Sequence, residues 1–181
     1  FVHDDAVAML EIFKENLLPY TDIVLAETQS SMAEVTAIQS VFGDCDQPLW
    51  ISVTLEDEPL SNTESRLRSG ELLSDVLGKI DFDCVDAVLF NCSQPEVMAE
   101  AIKLAVELMP SGKDIGVYAN GFRPFTNNIE ANDGYSTLRE DLTPQDYLDF
   151  AQHWQRLGAT MVGGCCGIGP DHITLLKNLQ Q

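Results

Sequence analysis

Two adjacent cysteines follow an apolar run near the C-terminal end of the sequence. Met161–Val162 is followed by Gly163–Gly164, then by Cys165 and Cys166, and then by Gly167. Neighbouring residues of a strand point to opposite faces, so both thiols can reach one metal ion only if the chain turns sharply. Glycine permits such a turn. The pattern therefore predicts a buried strand that delivers two thiols onto a tight turn.

A third thiol, Cys92, ends another apolar run, Val88–Asn91, and both cysteine segments precede a helix that begins at a proline. In a barrel of alternating strands and helices, the C-terminal ends of the strands share one face. Catalytic zinc usually has three protein ligands and a fourth, open position. We therefore predict Cys92, Cys165 and Cys166 as ligands of Zn²⁺. Two alternatives stay open: Cys92 as a buried core cysteine, and a vicinal Cys165–Cys166 disulfide.

Cys92 and Cys165 are 73 positions apart. Asn91-Cys92 followed at this distance by Gly-Gly-Cys-Cys-Gly resembles the zinc-binding signature of the homocysteine S-methyltransferase family. That family includes betaine–homocysteine and S-methylmethionine–homocysteine methyltransferases and the homocysteine domain of cobalamin-dependent methionine synthase. The resemblance extends to Ala26-Glu27-Thr28, to the strand 116–120 and to the segment 167–173.

The resemblance implies a (β/α)8 TIM barrel with zinc as cofactor. The chain reads as a helix followed by five strand–helix units, which implies a parallel sheet covered by helices. Compared with the family, residues 1–181 form one homocysteine-binding barrel domain that carries strands four to eight and lacks the first three. We expect two open sheet edges and an exposed apolar interior as a consequence.

The activity implied is transfer of a methyl group to the thiol of homocysteine, which forms methionine. Zinc would deprotonate a coordinating thiol that is mostly protonated at neutral pH. By the resemblance, Glu27 holds the amino group of homocysteine, and Asn91 and Asn120 are further substrate-binding candidates. Each of these three residues is also compatible with a purely structural role in a turn or a helix cap. The alternatives are methyl transfer to another thiol or selenol, and a truncated zinc-binding chain without activity.

The remaining cysteines, Cys45 and Cys84, lie in predicted loops and are left out of the site. His172 falls in the first turn of a predicted helix, where we expect a structural role. Betaine, S-methylmethionine, S-adenosylmethionine and methyl-folate acting through cobalamin all remain candidate methyl donors. No glycine-rich phosphate-binding loop is present, which argues against dinucleotide and ATP chemistry.

Apolar periodicity and breaker residues predict the elements along the chain. The predicted helices cover 4–18, 31–42, 71–80, 95–109, 143–158 and 170–179. The predicted strands cover 23–26 (short and buried), 49–55, 87–91, 115–119 and the run before Cys165. A long polar segment, 122–142, contains Asn127-Asn128 and Asp133-Gly134 and is predicted to be a structureless loop.

Composition limits the possible partners. The 181 residues carry 10 basic and 29 acidic side chains, a formal net charge of −19. This charge argues against nucleic acids and anionic membranes as partners, and small-molecule substrates are expected instead. No apolar run of about 18 residues is present, so no membrane span is predicted. Five cysteines at scattered spacings favour a reducing, cytoplasmic setting over a disulfide-stapled secreted domain.

Overall fold

The computed structural model describes residues 1–57, 64–124 and 137–180. Its elements, in chain order, are α1 (His3–Leu17), β1 (Val24–Gln29), α2 (Met32–Phe42), β2 (Leu49–Val53), α3 (Leu73–Leu77), β3 (Ala87–Asn91), α4 (Met98–Leu108), β4 (Asp114–Tyr118), α5 (Pro144–Leu157), β5 (Met161–Val162) and α6 (Pro170–Leu176). Short 3₁₀ turns occupy Leu18–Tyr20, Pro95–Val97 and Lys177–Gln180.

All five strands are parallel, and their order in the sheet is β1-β2-β3-β4-β5, the same as in the sequence. A doubly wound sheet would reverse direction at a switch point, whereas a barrel adds each strand beside the previous one. The predicted parallel α/β architecture is confirmed, with the strand order of a barrel segment.

The two faces of the sheet have different roles. One face carries Ile51, Val53, Val88, Phe90 and Val117, which are at most 1% exposed and belong to the hydrophobic core cluster together with residues of the covering helices. The opposite face, which would line the interior of a barrel, carries mostly polar residues at the C-terminal ends of the strands: Ser52, Asn91 and Tyr118. This alternation sends the polar side chains towards the candidate site.

Local capping signals fix two of the helix starts. Ser31 Oγ accepts the Glu34 N–H and the Glu34 carboxylate accepts the Ser31 N–H at 3.0 Å, and Thr143 and Asp146 form the same reciprocal pair. Both starts are as predicted. Across residues 1–57, 64–124 and 137–180, the helices are too short or too polar to cross a membrane.

The strand predicted at 23–26 is present, but it is longer and more exposed than predicted. β1 extends from Val24 to Gln29, and Leu25 is 43% exposed. Among the residues that the structure describes, β1 pairs only with β2. In α1, Met9, Ile12 and Phe13 are also exposed. Met9, Phe13 and Leu25 line an apolar groove of about 740 Å³ between α1, β1 and α2. The expected open edges are confirmed, since β5 likewise pairs with one neighbour, β4.

Other boundaries also differ from prediction. α3 covers only Leu73–Leu77, with Gly78 as its C-cap, instead of the predicted 71–80. The segment 122–142 is not entirely structureless, because its described ends form an antiparallel bridge between Phe122 and Leu138. Asn127-Asn128 and Asp133-Gly134 lie outside the described residues.

Candidate metal and substrate site

The structure brings the three predicted cysteine ligands together. The sulfur atoms of Cys92, Cys165 and Cys166 all lie within 4.8 Å of one another, and Cys165 Sγ is 3.8 Å from Cys166 Sγ. Two thiolates on a tetrahedral zinc ion, each at about 2.3 Å, are separated by about 3.8 Å. The donor set and its spacing therefore fit zinc. Among the described residues, Cys45 and Cys84 lie outside this cluster.

Cys92 is delivered by the turn that follows β3. Its φ is +53°, a left-handed conformation that non-glycine residues rarely adopt. Its N–H donates to the carbonyl of Tyr118 at 3.2 Å, and its carbonyl accepts a hydrogen bond from Arg68 Nη2 at 2.6 Å. The turn is thus tied to β4 and to the long loop after β2.

Cys165 and Cys166 lie on a turn that is tied to the end of β4. The Cys165 N–H donates to the Ala119 carbonyl at 2.9 Å, and the Cys166 carbonyl accepts the Gly121 N–H at 2.7 Å. The buried hydroxyl of Tyr147 donates to the Gly163 carbonyl at 2.8 Å. These bonds turn the chain so that two neighbouring thiols reach the same point, as the glycines around them predicted.

The tight packing of Gly164 makes a specific prediction. A Cβ atom at Gly164 would lie only 2.7 Å from Ile168 Cβ, closer than side-chain carbons approach one another. Gly164→Ala must therefore displace the Cys165–Cys166 turn. We expect it to weaken zinc binding at least about tenfold, as disturbance of the surroundings of metal ligands commonly does. A chelator-competition titration measures this affinity.

Gly169 supplies the matched control. A Cβ atom there meets nothing within 4 Å, and its φ of −97° suits any residue. Gly169→Ala should leave zinc affinity within about twofold of wild type. Equal affinities for the two variants would show that the Gly164 packing does not position the thiols.

The three thiols form an electrostatically coupled set. The hydrogen bond from Cys92 lowers the pKa of Cys165 to about 6, while the same interaction together with burial raises the pKa of Cys92. Burial and the neighbouring Cys165 raise the pKa of Cys166. At neutral pH without metal, the cluster thus holds one thiolate stabilised by thiol protons. A divalent cation would displace the remaining protons on binding.

Asn91 links the ends of three strands. Its side-chain oxygen accepts a hydrogen bond from Ser52 Oγ at 2.8 Å, and its amide nitrogen donates to Thr28 Oγ1 at 2.7 Å. Thr28 also has a positive φ, +63°, and directly follows Glu27, whose side chain is exposed in the C-terminal half of β1. The buried amide of Asn91 therefore fixes the segment that presents Glu27.

Asn120 is buried in the turn after β4. Its side-chain oxygen accepts hydrogen bonds from Gln94 Nε2 at 3.0 Å and from the Phe122 N–H at 3.1 Å. Its own N–H donates to the Ser93 carbonyl at 3.0 Å. Asn120 therefore connects the turn after β3, where Cys92 lies, to the turn after β4.

Tyr118 was not predicted from the sequence. Its hydroxyl is buried and has no hydrogen-bond partner among the described residues. Burial raises its pKa, Ser52 lowers it, and the Glu27 carboxylate and Cys165 raise it further. Tyr118 is thus close enough to Glu27, the predicted partner of the substrate ammonium group, and to Cys165 for both to affect its pKa. The signal available in the sequence was the alternation of side chains along β4. Tyr118 lies two residues before Asn120 and is therefore expected on the same face of the strand.

His172 lies outside the thiol cluster. Its Nδ1 accepts the Gly169 N–H at 3.2 Å, so Nε2 carries the proton and donates to the Leu142 carbonyl at 3.4 Å. The ring also packs edge-on against Tyr147, with centroids 5.8 Å apart. These contacts fit the expected structural role at the start of α6.

The chain is similar to known methyltransferases over most of its length. Residues 3–179 match the profile of a family described as homocysteine S-methyltransferase. The chain is 27% identical over 134 residues to a selenocysteine methyltransferase from Astragalus bisulcatus, covering 70% of this chain and 34% of that protein. It is 30% identical over 128 residues to homocysteine S-methyltransferase 4 from Zea mays, covering 68% and 33%.

Solved structures share the fold. The apo form of the Escherichia coli homocysteine methyltransferase MmuM matches with a TM-score of 0.71 and 23% identity, over 98% of this chain and 57% of that one. Its metallated form matches with a TM-score of 0.71 and 24% identity, over 99% and 52%. The chain thus spans between a third and three fifths of the lengths of these relatives. Because the family profile covers nearly every residue and the cysteine cluster, the chain belongs to the homocysteine S-methyltransferase family.

Proposed function

We propose that this protein transfers a methyl group to the thiol of homocysteine, forming methionine, at a zinc site made by Cys92, Cys165 and Cys166. The observation that carries the proposal is the convergence of these three sulfur atoms within 4.8 Å in a chain of this family. Homocysteine and a methyl donor are the proposed small-molecule partners.

Cys92, Cys165 and Cys166 would hold the metal through their thiolates. Zinc in such a site supplies a Lewis acid that lowers the pKa of a substrate thiol, so that the thiol is nucleophilic at neutral pH. The substrate sulfur would then attack the methyl carbon of an activated donor. A carbon–sulfur bond forms, the bond between the methyl group and the donor breaks, and its electron pair leaves with the donor. The thiol proton is released to solvent.

Glu27 is the proposed partner of the substrate ammonium group. Its exposed side chain lies in the C-terminal half of β1, near enough to the cysteines for its charge to raise the pKa of Cys165. A carboxylate forms charge-assisted hydrogen bonds with an ammonium group. We assign Asn91 and Asn120 to the substrate site as residues whose hydrogen bonds fix the segments that surround it. The hydrogen bonds of Asn91 to Ser52 and Thr28, and those of Asn120 to Gln94 and Phe122, support this assignment.

Further β/α units complete the proposed barrel domain along its open edges. The unpaired side of β1, the exposed side chains of Leu25 and Phe13, and the apolar groove beside them support this assignment. Such a surface is costly in water and is favourable once covered. The full-length protein is therefore the appropriate material for every experiment below.

A selenol is the second candidate acceptor. The support is the relative from Astragalus bisulcatus, which is named a selenocysteine methyltransferase. A selenolate would use the same metal position and the same Glu27 contact, because selenocysteine also carries an ammonium group. Competition between the two acceptors for one donor would distinguish them.

Methyl transfer assayed before and after zinc removal tests the proposal. We expect methionine to form from homocysteine with at least one of the candidate donors. Chelation should abolish this activity, and added zinc should restore it. Activity that survives complete removal of the metal would contradict the zinc mechanism.

A further inference from the structure

The turn that presents Cys92 needs external support. Among the described residues, Cys92 and Thr28 are the two non-glycine residues with positive φ. A residue persists in this region only when its surroundings hold it there, and such residues cluster at functional sites. The hydrogen bonds of Asn91 support the turn around Thr28. The support of the Cys92 turn comes from the loop that follows β2.

Arg68 of this loop contacts the Cys92 turn directly. Its Nη2 donates to the Cys92 carbonyl at 2.6 Å, and its Nε donates to the Leu55 carbonyl at 3.4 Å. The Arg68 backbone N–H donates to the Thr54 carbonyl at 3.2 Å, which anchors the residue to the end of β2. The planar guanidinium therefore joins the chain after β2 to the carbonyl of a metal-ligand residue with charge-assisted bonds.

Asp57 holds the other side of the same turn. Its side chain is only 4% exposed, and its Oδ1 accepts the Gln94 N–H at 2.9 Å. Its Oδ2 lies 3.8 Å from Arg68 Nη2. A buried carboxylate requires such partners, because an unpaired charge is strongly disfavoured away from water. Arg68 thus binds the Cys92 carbonyl and Asp57 binds the Gln94 N–H, one on each side of Ser93.

We propose that the Arg68–Asp57 pair positions Cys92 for metal binding and so sets the zinc affinity of the thiol cluster. The inference rests on the proposed zinc site. The contacts described here reach the backbone of the turn, so both are positioning residues. Releasing the Cys92 carbonyl would let the residue relax from its left-handed conformation and carry its sulfur away from Cys165 and Cys166.

The test is the zinc affinity of the full-length protein, measured by chelator competition. Arg68→Ala should weaken zinc binding about 10- to 100-fold, the range found when groups that orient metal ligands are removed. Arg66→Ala is the matched control. Arg66 lies in the same loop, but its bonds go to the Gly70 carbonyl at 2.7 Å and to Glu64 at 3.4 Å. Its removal should change the affinity less than twofold.

Two additional measurements separate positioning from misfolding. Arg68→Lys keeps the charge but loses the planar fork, so it should fold normally and still weaken binding severalfold. In the cobalt-substituted protein, the absorption bands from thiolate ligands should change in Arg68→Ala and Arg68→Lys but stay unchanged in Arg66→Ala. A structural role of the loop alone would leave these bands unchanged.

The outcomes also separate this inference from the proposed function. If wild type and both Arg68 variants bind zinc with equal affinity, the proposed positioning of Cys92 by Arg68 and Asp57 is overturned. The proposed metal site would stand in that case. Equal weakening by Arg66→Ala and Arg68→Ala would likewise overturn the proposed positioning. A reduced, folded wild type that binds no zinc would overturn the metal site, and with it the proposed positioning role of Arg68 and Asp57.

Discussion

Replacing Cys166 with serine is expected to lower zinc affinity at least about 100-fold and to reduce methyl transfer to homocysteine in proportion. Loss of a direct ligand should lower the zinc affinity at least as much as loss of a group that only orients a ligand. A serine hydroxyl stays protonated and binds zinc poorly where a thiolate binds well. Cys166 is exposed, so the substitution itself should leave folding unchanged. Metal content after gel filtration and initial rates of methionine formation measure the two effects.

Cys84→Ser is the control for this variant. The Cys84 thiol donates to the Asp81 carbonyl at 3.3 Å and lies outside the cluster, and a hydroxyl can make the same bond. We expect wild-type metal content and activity from it. Full zinc content in Cys166→Ser, with Cys84→Ser unchanged, would contradict the assignment of Cys166 as a ligand.

Replacing Glu27 with glutamine should raise the KM for homocysteine about 10- to 100-fold while the KM of the methyl donor stays nearly constant. The change keeps the shape of the side chain and removes its charge. A hydrogen bond to a charged group contributes about 1.5–3 kcal/mol, which corresponds to this range of affinities. Steady-state kinetics with each substrate varied in turn measures both values.

A thiol substrate without an amino group isolates the Glu27 contact. With 4-mercaptobutyrate, wild type and Glu27→Gln should show similar KM values, since the ammonium group that the carboxylate recognises is missing. Glu107→Gln makes the same charge change on an exposed position of α4 and should behave as wild type. An equal loss with both thiol substrates would show that Glu27 does not bind the ammonium group.

The sequence was most informative where the signals were local. Cys165–Cys166 among glycines and Cys92 at the end of an apolar run predicted a cluster that the fold brings within 4.8 Å. Parallel strands with helical connections place such residues on one edge of a sheet, so the prediction needed only the strand ends to be correct. The capping pairs at Ser31 and Thr143 succeeded for the same reason.

Features that depend on distant partners were not predictable. The strand 23–26 has the composition of a buried strand, yet β1 is half-exposed because β2 is its only partner within the described part of the chain. The guanidinium of Arg68 reaches the Cys92 carbonyl across 24 residues of sequence, and no periodicity marks such a contact. The direction of the Tyr118 hydroxyl, towards Glu27 and the cysteines, likewise depends on the packing of neighbouring strands.

The most direct test of the central claim is the zinc content of the reduced, metal-replete, full-length protein, combined with X-ray absorption at the zinc edge. Three thiolates on one ion predict one zinc per chain, with three sulfur neighbours at about 2.3 Å. The sulfur count should fall to two in whatever zinc Cys166→Ser retains. A folded, reduced protein without zinc, or a zinc ion with fewer than three sulfur neighbours in wild type, would contradict the account.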